Sequence, residues 1–448
     1  MRLVQFSDGL APAASLDNEP IHPVDGGSSM IRIKPFEAIR PPAPLSSRVS
    51  CPPYDVMSTA EAASLAEGNP HSFLHVIRPE IDLPSGTDPH DNQVYSAADD
   101  ALRRLLEDGA LRREDAPGIY LYRQVRNGKP QTGVVCCCHV EDYRNGIIKK
   151  HETTRPDKED DRTRHVLTLD AQTGPVFLTC HDHASLAERM AMDSSHRPDV
   201  HFVSDDGVTH TIWSVQDPQP YLEMIGNMDA LYVADGHHRT ASALRAAETH
   251  RSNHSRLNDD AEYNWFLSVI FQASELTILP YNRVVADLNN LDPAAFLERL
   301  GRVGTLLPTD TPEPDRPCVF GVHVDGQWHT LAVDEGTVDW DDPIASLDVS
   351  ILQDRVLGPI LDIQDPRTNP RIHFVGGVRG TDALREEAGP HGVAFALHPT
   401  NIRQLLSVAD AGQCMPPKST WFEPKLRSGL FVHSLDTSIH HASESESS

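Results

Sequence analysis

Hydrophobic positions recur along the chain in two patterns, one typical of helices and one typical of strands. Apolar side chains in residues 92–106 follow the period of one buried helix face. Two apolar runs, residues 119–125 and 132–140, flank Asn127-Gly128, a residue pair that favours a two-residue hairpin turn. Helical and strand patterns mingle in this way along the rest of the chain. We therefore predict an α/β (α+β) protein with mixed sheets.

Local signals predict several shorter elements. Ser58 and Glu61 have the spacing of a capping box, which indicates that a helix begins there. Residues 69–80 contain an apolar run and are predicted to form a strand. Thr400 precedes a helical pattern and is predicted to cap that helix.

Composition divides the chain into five predicted segments. Residues 1–30 are rich in Gly, Pro, Ser and Asp and lack periodicity, so we predict a disordered leader, with Met30 as an alternative start of translation. The end of the chain, residues 437–448, is predicted to be a disordered tail. Between them we expect an N-terminal α/β region at 31–135, a central region at 136–300 and a C-terminal α/β region at 301–436.

The chain is organised around the sequence LYVADGHHRT at residues 231–240. Its first half is typical of a buried strand, Asp235-Gly236 breaks the run, and the following residues favour a helix. Such a turn presents free backbone N–H groups and the positive end of a helix dipole, where phosphate or carboxylate binds. An ordinary connection with a polar surface is the alternative. We predict a functional turn because four side chains there suit phosphoryl chemistry: Asp235, His237, His238 and Arg239.

A second polar segment, residues 147–165, follows another predicted strand. Most mixed-charge runs of this kind are solvated helices. Pro156 interrupts this one, so we predict a loop that lines a site. The His-Glu pair lacks a second histidine four residues further on, which excludes the zincin motif. The candidate site residues of this segment are His151, Glu152, Lys158 and Arg162.

Two proline-stiffened loops carry further candidates. Tyr54 and Asp55 directly follow Pro52-Pro53, and we predict that they face a substrate pocket. A packed tyrosine in a turn is the alternative reading of that loop. Lys418 also follows two prolines, and a lysine held on a rigid loop suits a phosphate or carboxylate, although most single lysines are only solvated.

Composition excludes several classes of protein. The 39 Lys and Arg stand against 65 Asp and Glu, a formal net charge of −26 that argues against a nucleic-acid partner. No apolar run approaches the ~20 residues of a membrane helix. The cysteines form no CxxC pair, and Cys136 to Cys138 lie in an apolar run, which indicates core thiols and a cytoplasmic location. Standard phosphate loops and kinase motifs are missing from the sequence, so a nucleotide would have to bind through the 235–239 turn.

Four motifs together resemble a large prokaryotic family known as domain of unknown function 1015. In chain order they are CPPYDV, KKHETTRPDK, ADGHHR and MPPKST. The resemblance covers residues 31–435 and implies membership of a family without an established activity.

The 235–239 turn also resembles the phosphate-binding turn of the ParB and sulfiredoxin superfamily. In the free-serine kinases of that group, a DGHHR-type turn serves phosphoryl transfer to a small hydroxy amino acid. The resemblance implies a ParB/sulfiredoxin-like central region at 136–300. It also implies that nucleotide phosphates bind at Asp235, Gly236, His237, His238 and Arg239.

These observations lead us to predict a nucleotide-dependent, kinase-like phosphotransferase that acts on a small hydroxylated metabolite, with serine or phosphoserine as candidate substrates. Glu152, Asp235 and His238 are the predicted catalytic residues, and Glu152 is chosen for its chemistry alone. His151, Lys158 and Arg162 would add charge around the phosphates, and Lys418 would close the site. ATP or ADP and Mg²⁺ are the expected cofactors.

Two alternatives use the same residues. A metal-assisted phosphate-ester hydrolase would need no nucleotide, and a non-catalytic nucleotide-binding regulatory module would bind ligand without turnover. Adjacent helix residues such as His237 and His238 diverge by ~100° and rarely bind one ion together, so the sequence predicts no metal site from that pair. It also leaves the oligomeric state open.

Overall fold

The computed structural model describes residues 30–253 and 258–435. The predicted leader, apart from Met30, and the predicted tail lie outside the described residues. Within the described ranges, none of the helices combines the length and the apolar surface that crossing a bilayer requires.

Strands and helices alternate along these residues. The strands are β1 Ile33–Lys34, β2 Ala38–Arg40, β3 Arg112–Arg113, β4 Tyr120–Arg126, β5 Lys129–His139, β6 Ile148–Lys149, β7 Ala171–Gln172, β8 Val176–Cys180, β9 Val200–Val203, β10 Thr209–Ser214, β11 Leu231–Asp235, β12 Trp265–Gln272, β13 Ile278–Leu279, β14 Tyr281–Val285, β15 Thr305–Pro308, β16 Val319–Val324, β17 Gln327–Ala332, β18 Ile372–Gly376, β19 Val393–Leu397, β20 Trp421–Phe422 and β21 Val432–Ser434. The α-helices are α1 Ser46–Val49, α2 Thr59–Ala66, α3 Leu74–Ile77, α4 Asn92–Glu107, α5 Val140–Arg144, α6 Pro156–Leu169, α7 Ala184–Asp193, α8 Gln219–Gly226, α9 His237–Asn253, α10 Pro293–Val303, α11 Asp348–Leu352, α12 Gly380–Ala388 and α13 Ile402–Asp410. A π-helical turn, Gln353–Leu357, continues α11.

A nine-stranded mixed sheet forms the first part of the molecule. Its strand order is β6-β11-β8-β12-β5-β4-β10-β9, and β1 pairs with β5 beside this path. β6 runs parallel to β11 and β8 runs parallel to β12, whereas the other pairs are antiparallel. The predicted α+β class with mixed sheets is therefore confirmed.

A second sheet and a returning C-terminus complete the fold. The six-stranded sheet has the order β15-β17-β16-β19-β14-β18. β21 returns to the first part of the chain and forms a four-stranded sheet with β2, β3 and β7, and β20 pairs with β13. Residues 421–434 thus pair with strands from both parts.

Two predicted segment boundaries do not coincide with the ends of sheets. The boundary between residues 135 and 136 falls inside β5, at the middle of the nine-stranded sheet. The boundary between residues 300 and 301 falls inside α10, although the change from the first large sheet to the second occurs earlier, between β12 and β14. Neither composition nor the resemblance of a single turn carries information about strand pairing.

Several local predictions are confirmed. The hairpin joins β4 to β5 through Asn127 and Gly128, whose φ values are 51° and 76°. The helix predicted at residues 92–106 is α4, and Ser58 with Glu61 forms the capping box of α2.

Two local predictions are wrong. Residues 69–80 contain the short helix α3 and part of a 3₁₀ turn, because an apolar run of four residues fits a buried helix as well as a strand. Thr400 does not cap α13. Asn401 does so, in a capping box with Gln404, while the Thr400 hydroxyl donates to the Ser419 carbonyl at 3.0 Å.

The three consecutive cysteines lie in the core, as their apolar surroundings predict. Cys136 to Cys138 are fully buried in β5, and their side chains alternate between the two faces of the sheet. Cys51, Cys180 and Cys318 are buried as well, whereas Cys414 is partly exposed. Burial raises the pKa of the Cys51 and Cys180 thiols to about 12, so both remain neutral thiols at neutral pH.

The carboxyl group of Asp348 is buried at the start of α11. Its Oδ1 accepts a hydrogen bond from the Cys318 N–H at 2.9 Å, but Oδ2 has no partner among the described residues. Burial outweighs that hydrogen bond and raises the pKa of Asp348 from 3.8 to about 7.

This raised pKa predicts a pH dependence of stability. Between about pH 4 and pH 7 the folded protein keeps a proton on Asp348 that the unfolded chain has lost, so this residue's contribution to the free energy of unfolding falls as the pH rises. The Asp348→Asn variant has no carboxyl group to ionise at this position. As the pH rises across this window, we expect its free energy of unfolding to increase relative to that of the wild type by roughly a few kcal/mol. Urea unfolding at a series of pH values measures the difference. A difference that stays constant with pH would contradict the prediction.

Candidate functional site

The 235–239 turn and the 149–162 segment meet at one edge of the nine-stranded sheet. β6 and β11 pair in parallel, with Leu231 opposite Ile148 and Tyr232 opposite Lys149. Parallel strands end at the same edge, so the residues that follow β6 lie beside the residues that end β11. The structure therefore brings together two segments that are about eighty residues apart in the sequence.

Gly236 makes the turn between β11 and α9. Its φ is 92°, in the left-handed region, and a Cβ placed there would lie 3.0 Å from the Arg239 Nε. Arg239 folds back under the turn and donates to the Pro175 carbonyl and to the Asp235 Oδ2, the latter at 3.2 Å. The turn needs glycine both for its backbone conformation and for this close approach.

Asp235 is held by two cations from different parts of the chain. Its carboxylate lies 3.2 Å from Arg239 Nη2 and 3.4 Å from Lys425 Nζ. Partial burial opposes ionisation, but Lys425 and Arg239 outweigh it and hold the pKa of Asp235 well below its usual range. Asp235 is therefore a carboxylate at neutral pH and is already engaged in ion pairs.

His237 turns into the protein and meets His151. Their ring centroids are 4.5 Å apart and the rings are nearly perpendicular. The exposed fractions of His151 and His237 are 2% and 5%, and burial lowers the pKa of His151 to about 4 and that of His237 well below its usual value. Both imidazoles are neutral at physiological pH.

His238 points in a different direction and joins the two segments. Its Nε2 accepts a hydrogen bond from the Arg155 N–H at 3.1 Å, so the neutral ring carries its proton on Nδ1. Nε2 is thus occupied by the protein itself, and only Nδ1–H remains to contact a ligand. Burial, together with the charge of Lys418, lowers the pKa of His238.

Glu152 lies next to His151 and His237. Burial raises the pKa of Glu152 above its usual range, and the positive charge of Lys418 opposes the shift. A carboxyl group with a raised pKa and no ion pair among the described residues is suited to accept a proton.

The C-terminal segment, residues 415–425, closes one side of the site. The Met415 N–H donates to the His151 carbonyl at 2.7 Å, and the Thr420 Oγ1 lies 3.4 Å from the His151 Nε2. Lys418 is exposed, has a left-handed φ of 55° and forms no ion pair among the described residues. Its ammonium group therefore remains available to an anion.

Arg283 of β14 fixes the position of Lys418. It is buried, and its guanidinium donates to the carbonyl of Lys418 at 3.0 Å and to that of Pro417 at 3.2 Å. The Lys418 Nζ lies 5.5 Å from the centre of the Tyr281 ring. A strand of the six-stranded sheet thus positions the loop of Lys418, which contributes to the site at the edge of the nine-stranded sheet.

Tyr54 and Arg162 lie behind the turn. The Arg162 guanidinium is 4.3 Å from the centre of the Tyr54 ring and 2.7 Å from the Asp161 Oδ2. With Arg239 they line a cavity of about 40 Å³, which has room for ordered water but not for a nucleotide. Their predicted direct contacts with substrate and phosphate therefore do not follow from this arrangement.

Asp55 and Lys158 are both exposed. The negative charge of Asp55 opposes the lowering of the His238 pKa and adds to the charges of Tyr281 and Glu152 that raise the pKa of Lys418, so this exposed carboxylate belongs to the surroundings of the site. Lys158 lies in the first turn of α6, and no hydrogen bond or ion pair joins its side chain to the 235–239 turn in the described ranges. Helix α6 instead contacts α9 through Glu159, which accepts from Ser242 and pairs with Arg245. The prediction of a loop at 147–165 holds only between β6 and α6, at residues 150–155, because Pro156 begins a helix where it was expected to interrupt one.

Lys425 and Thr420 are site residues that the sequence did not single out. Lys425 is the second lysine of the same proline- and glycine-stiffened segment as Lys418, and that repetition was the available signal. Thr420 carried no signal, since a threonine in a loop is ordinary. A larger cavity of about 600 Å³ is lined by Asp287 and Arg371, among others. None of the candidate site residues lines it.

The site offers one group of potential metal ligands. One donor atom each from His151, Glu152 and His237 lies within 4.8 Å of the others. This set does not fit the expected Mg²⁺, which prefers six oxygen ligands.

The ion pairs of Asp235 predict a measurable contribution to stability. Asp235→Asn would leave Arg239 and Lys425 close together without a countercharge, so we expect the free energy of unfolding to fall by about 1–3 kcal/mol. Asp157→Asn breaks an exposed pair with Arg155 and should cost less than about 1 kcal/mol. Urea unfolding followed by circular dichroism measures both. Equal losses in the two variants would show that Asp235 is not held as described.

Three solved structures are similar to parts of this chain at low identity. SbnI with C-terminal truncation from Staphylococcus aureus is 12% identical, with a TM-score of 0.38 over 68% of this chain and 90% of that one. A conserved hypothetical protein from Pyrococcus furiosus is 14% identical, with a TM-score of 0.34 over 67% and 95%. A mutant free serine kinase in complex with ADP is 13% identical, with a TM-score of 0.33 over 65% and 87%.

No curated protein sequence matches this chain. A family described as protein of unknown function, DUF1015, matches residues 33–350. The match includes the 235–239 turn and the 149–162 segment, while the C-terminal segment 415–425 lies beyond it. Because the matched residues make up well over half of the 448, the chain belongs to the DUF1015 family.

Proposed function

We propose that this protein is a phosphotransferase that moves a phosphoryl group between a nucleotide, ATP or ADP, and a small hydroxylated metabolite. The observation that carries the proposal is the convergence of Arg239, Lys418 and Lys425 on the N-terminus of α9. These groups come from two distant segments, and the helix dipole adds to their positive potential.

The local charge contrasts with that of the whole chain. The formal net charge is −26, yet three cations, Arg239, Lys418 and Lys425, act on the carboxylate of Asp235. Lys418 has no carboxylate within ion-pair distance in the described part of the chain. A compact anion that bears more than one charge, such as a phosphate, satisfies this arrangement.

Each group has a role in the proposed transfer. Lys418, with the N–H groups at the start of α9 and the Nδ1–H of His238, would hold the transferred phosphate, while Lys425 and Arg239 keep Asp235 in place. The hydroxyl oxygen of the acceptor attacks the terminal phosphorus and the bond to the leaving nucleotide breaks. Glu152, whose pKa is raised by burial, accepts the hydroxyl proton. Catalysis is then chiefly positioning and electrostatic stabilisation.

We propose the phosphoryl acceptor from the chemistry of the exposed residue Asp55. Asp55 is an exposed carboxylate whose charge reaches Lys418 and His238. A carboxylate in that position suits the ammonium group of an amino acid, and the hydroxyl of serine would then face the phosphate. Serine and phosphoserine are therefore the first substrates to test, in agreement with the resemblance of the turn.

Lys418→Met tests the proposal directly. We expect the wild type to form phosphoserine from serine with ATP or ADP, and we expect Lys418→Met to lower kcat/KM about a hundredfold or more, because it removes one charged donor to the transferred phosphate. Phosphoserine formation from labelled serine measures the turnover.

Lys129→Met is the matched control, because Lys129 lies at the hairpin turn of β4 and β5 and donates to the Leu276 carbonyl. It should keep the wild-type rate. Release of phosphate from phosphoserine without any nucleotide would replace the proposal with the hydrolase alternative. Nucleotide binding without turnover of any small hydroxylated metabolite would replace it with the regulatory-module alternative.

A further inference from the structure

The cluster of His151, Glu152 and His237 contains donors that the proposed phosphoryl transfer does not use. His151 and Glu152 follow β6, and His237 begins α9, so the parallel pairing of β6 with β11 assembles them. One donor atom from each lies within 4.8 Å of the other two. In the described residues this is the one group of three such side chains with this spacing.

The two imidazoles carry nitrogen atoms without hydrogen-bond partners. Both ring nitrogens of His237 and the Nδ1 of His151 are buried and unpartnered among the described residues. A neutral imidazole carries one N–H and one nitrogen lone pair, and the buried His237 ring leaves both without a partner among the described residues. Buried polar atoms of this kind call for an unseen partner.

The second nitrogen of His151 is oriented by the protein. Its Nε2 lies 3.4 Å from the Thr420 Oγ1, and the His151 carbonyl accepts from the Met415 N–H. Metal-binding histidines typically have their other nitrogen hydrogen-bonded in this way, which fixes the ring. One ring nitrogen of His151 lies within 4.8 Å of donor atoms of Glu152 and His237.

We propose that His151, Glu152 and His237 bind one divalent first-row transition-metal ion such as Zn²⁺. Two imidazole nitrogens and one carboxylate oxygen are a donor set of catalytic zinc sites and of related iron sites, whereas Mg²⁺ and Ca²⁺ prefer oxygen alone. Bonds of about 2.0–2.2 Å require the side chains to move together by less than about 1 Å.

A bound ion would explain why a carboxyl group and two imidazoles share a buried position. Its charge of two would favour ionised Glu152, and each histidine would bind the ion through one ring nitrogen. Three protein ligands leave a coordination position for water or for a substrate oxygen. A carboxylate that binds through one oxygen keeps its other oxygen free to accept a hydrogen bond from the hydroxyl group of the acceptor.

Metal titration without nucleotide tests this inference independently of the proposed function. The full-length protein is stripped with EDTA and titrated with ZnCl₂, MnCl₂ and MgCl₂ in a calorimeter. We expect one tight Zn²⁺ site per chain that Mg²⁺ does not occupy. His237→Gln and Glu152→Gln should each weaken Zn²⁺ binding about a hundredfold or more, because each removes a ligand.

His323→Gln is the matched control. His323 is also buried, and both its ring nitrogens are unpartnered, but it lies in β16 outside the cluster. It should keep the wild-type Zn²⁺ affinity within about twofold. Circular dichroism checks that each variant folds.

Co²⁺ bound to the wild type gives a second readout that needs no variant. We expect the intense visible absorption of a low-coordinate ion with nitrogen and oxygen ligands. Wild-type Zn²⁺ affinity in His237→Gln, equal binding of Mg²⁺ and Zn²⁺, or a Co²⁺ spectrum like that of the aquo ion would each overturn the inference. A protein that binds Zn²⁺ but transfers no phosphoryl group would disprove only the proposed function.

Discussion

The parallel pairing of β6 with β11 is the constraint on which the site depends. Only two residue pairs define it, Leu231 with Ile148 and Tyr232 with Lys149. Because both strands run in the same direction and end at the same edge, the residues that follow them lie side by side. One short stretch of backbone pairing therefore positions the imidazoles, the acids and the start of α9 relative to one another.

The C-terminal segment, residues 415–425, adds further residues to the site that this pairing assembles. After the six-stranded sheet the chain passes the site and forms β21 beside β2 and β7. Lys418 and Lys425 reach the turn in this passage, and Arg283 holds the loop through its backbone carbonyls. The site is thus built from the beginning, the middle and the end of the chain, although the family match ends at residue 350.

The sequence predicts the features set by neighbouring residues and also the meeting of the 149–162 segment with the 235–239 turn, but it misses most of the packing between distant residues. The strand, turn and helix around Gly236 were predictable because glycine, the apolar run and the helix formers act locally. The different directions of the His237 and His238 side chains follow from helix geometry alone. Lys425 and the ligand group of His151, Glu152 and His237 depend on strand pairing, and β6 is too short to leave a periodic signal. Residues 69–80 were misread because only their packing near α4 distinguishes helix from strand.

The uneven burial of the cysteines has a practical consequence. Six thiols are enclosed in the core, while Cys414 is partly exposed and directly precedes Met415, whose N–H contacts the His151 carbonyl. A maleimide dye added to the native protein should therefore attach at this one position, without engineering. Its fluorescence would then follow the docking of the C-terminal segment in real time as small molecules arrive.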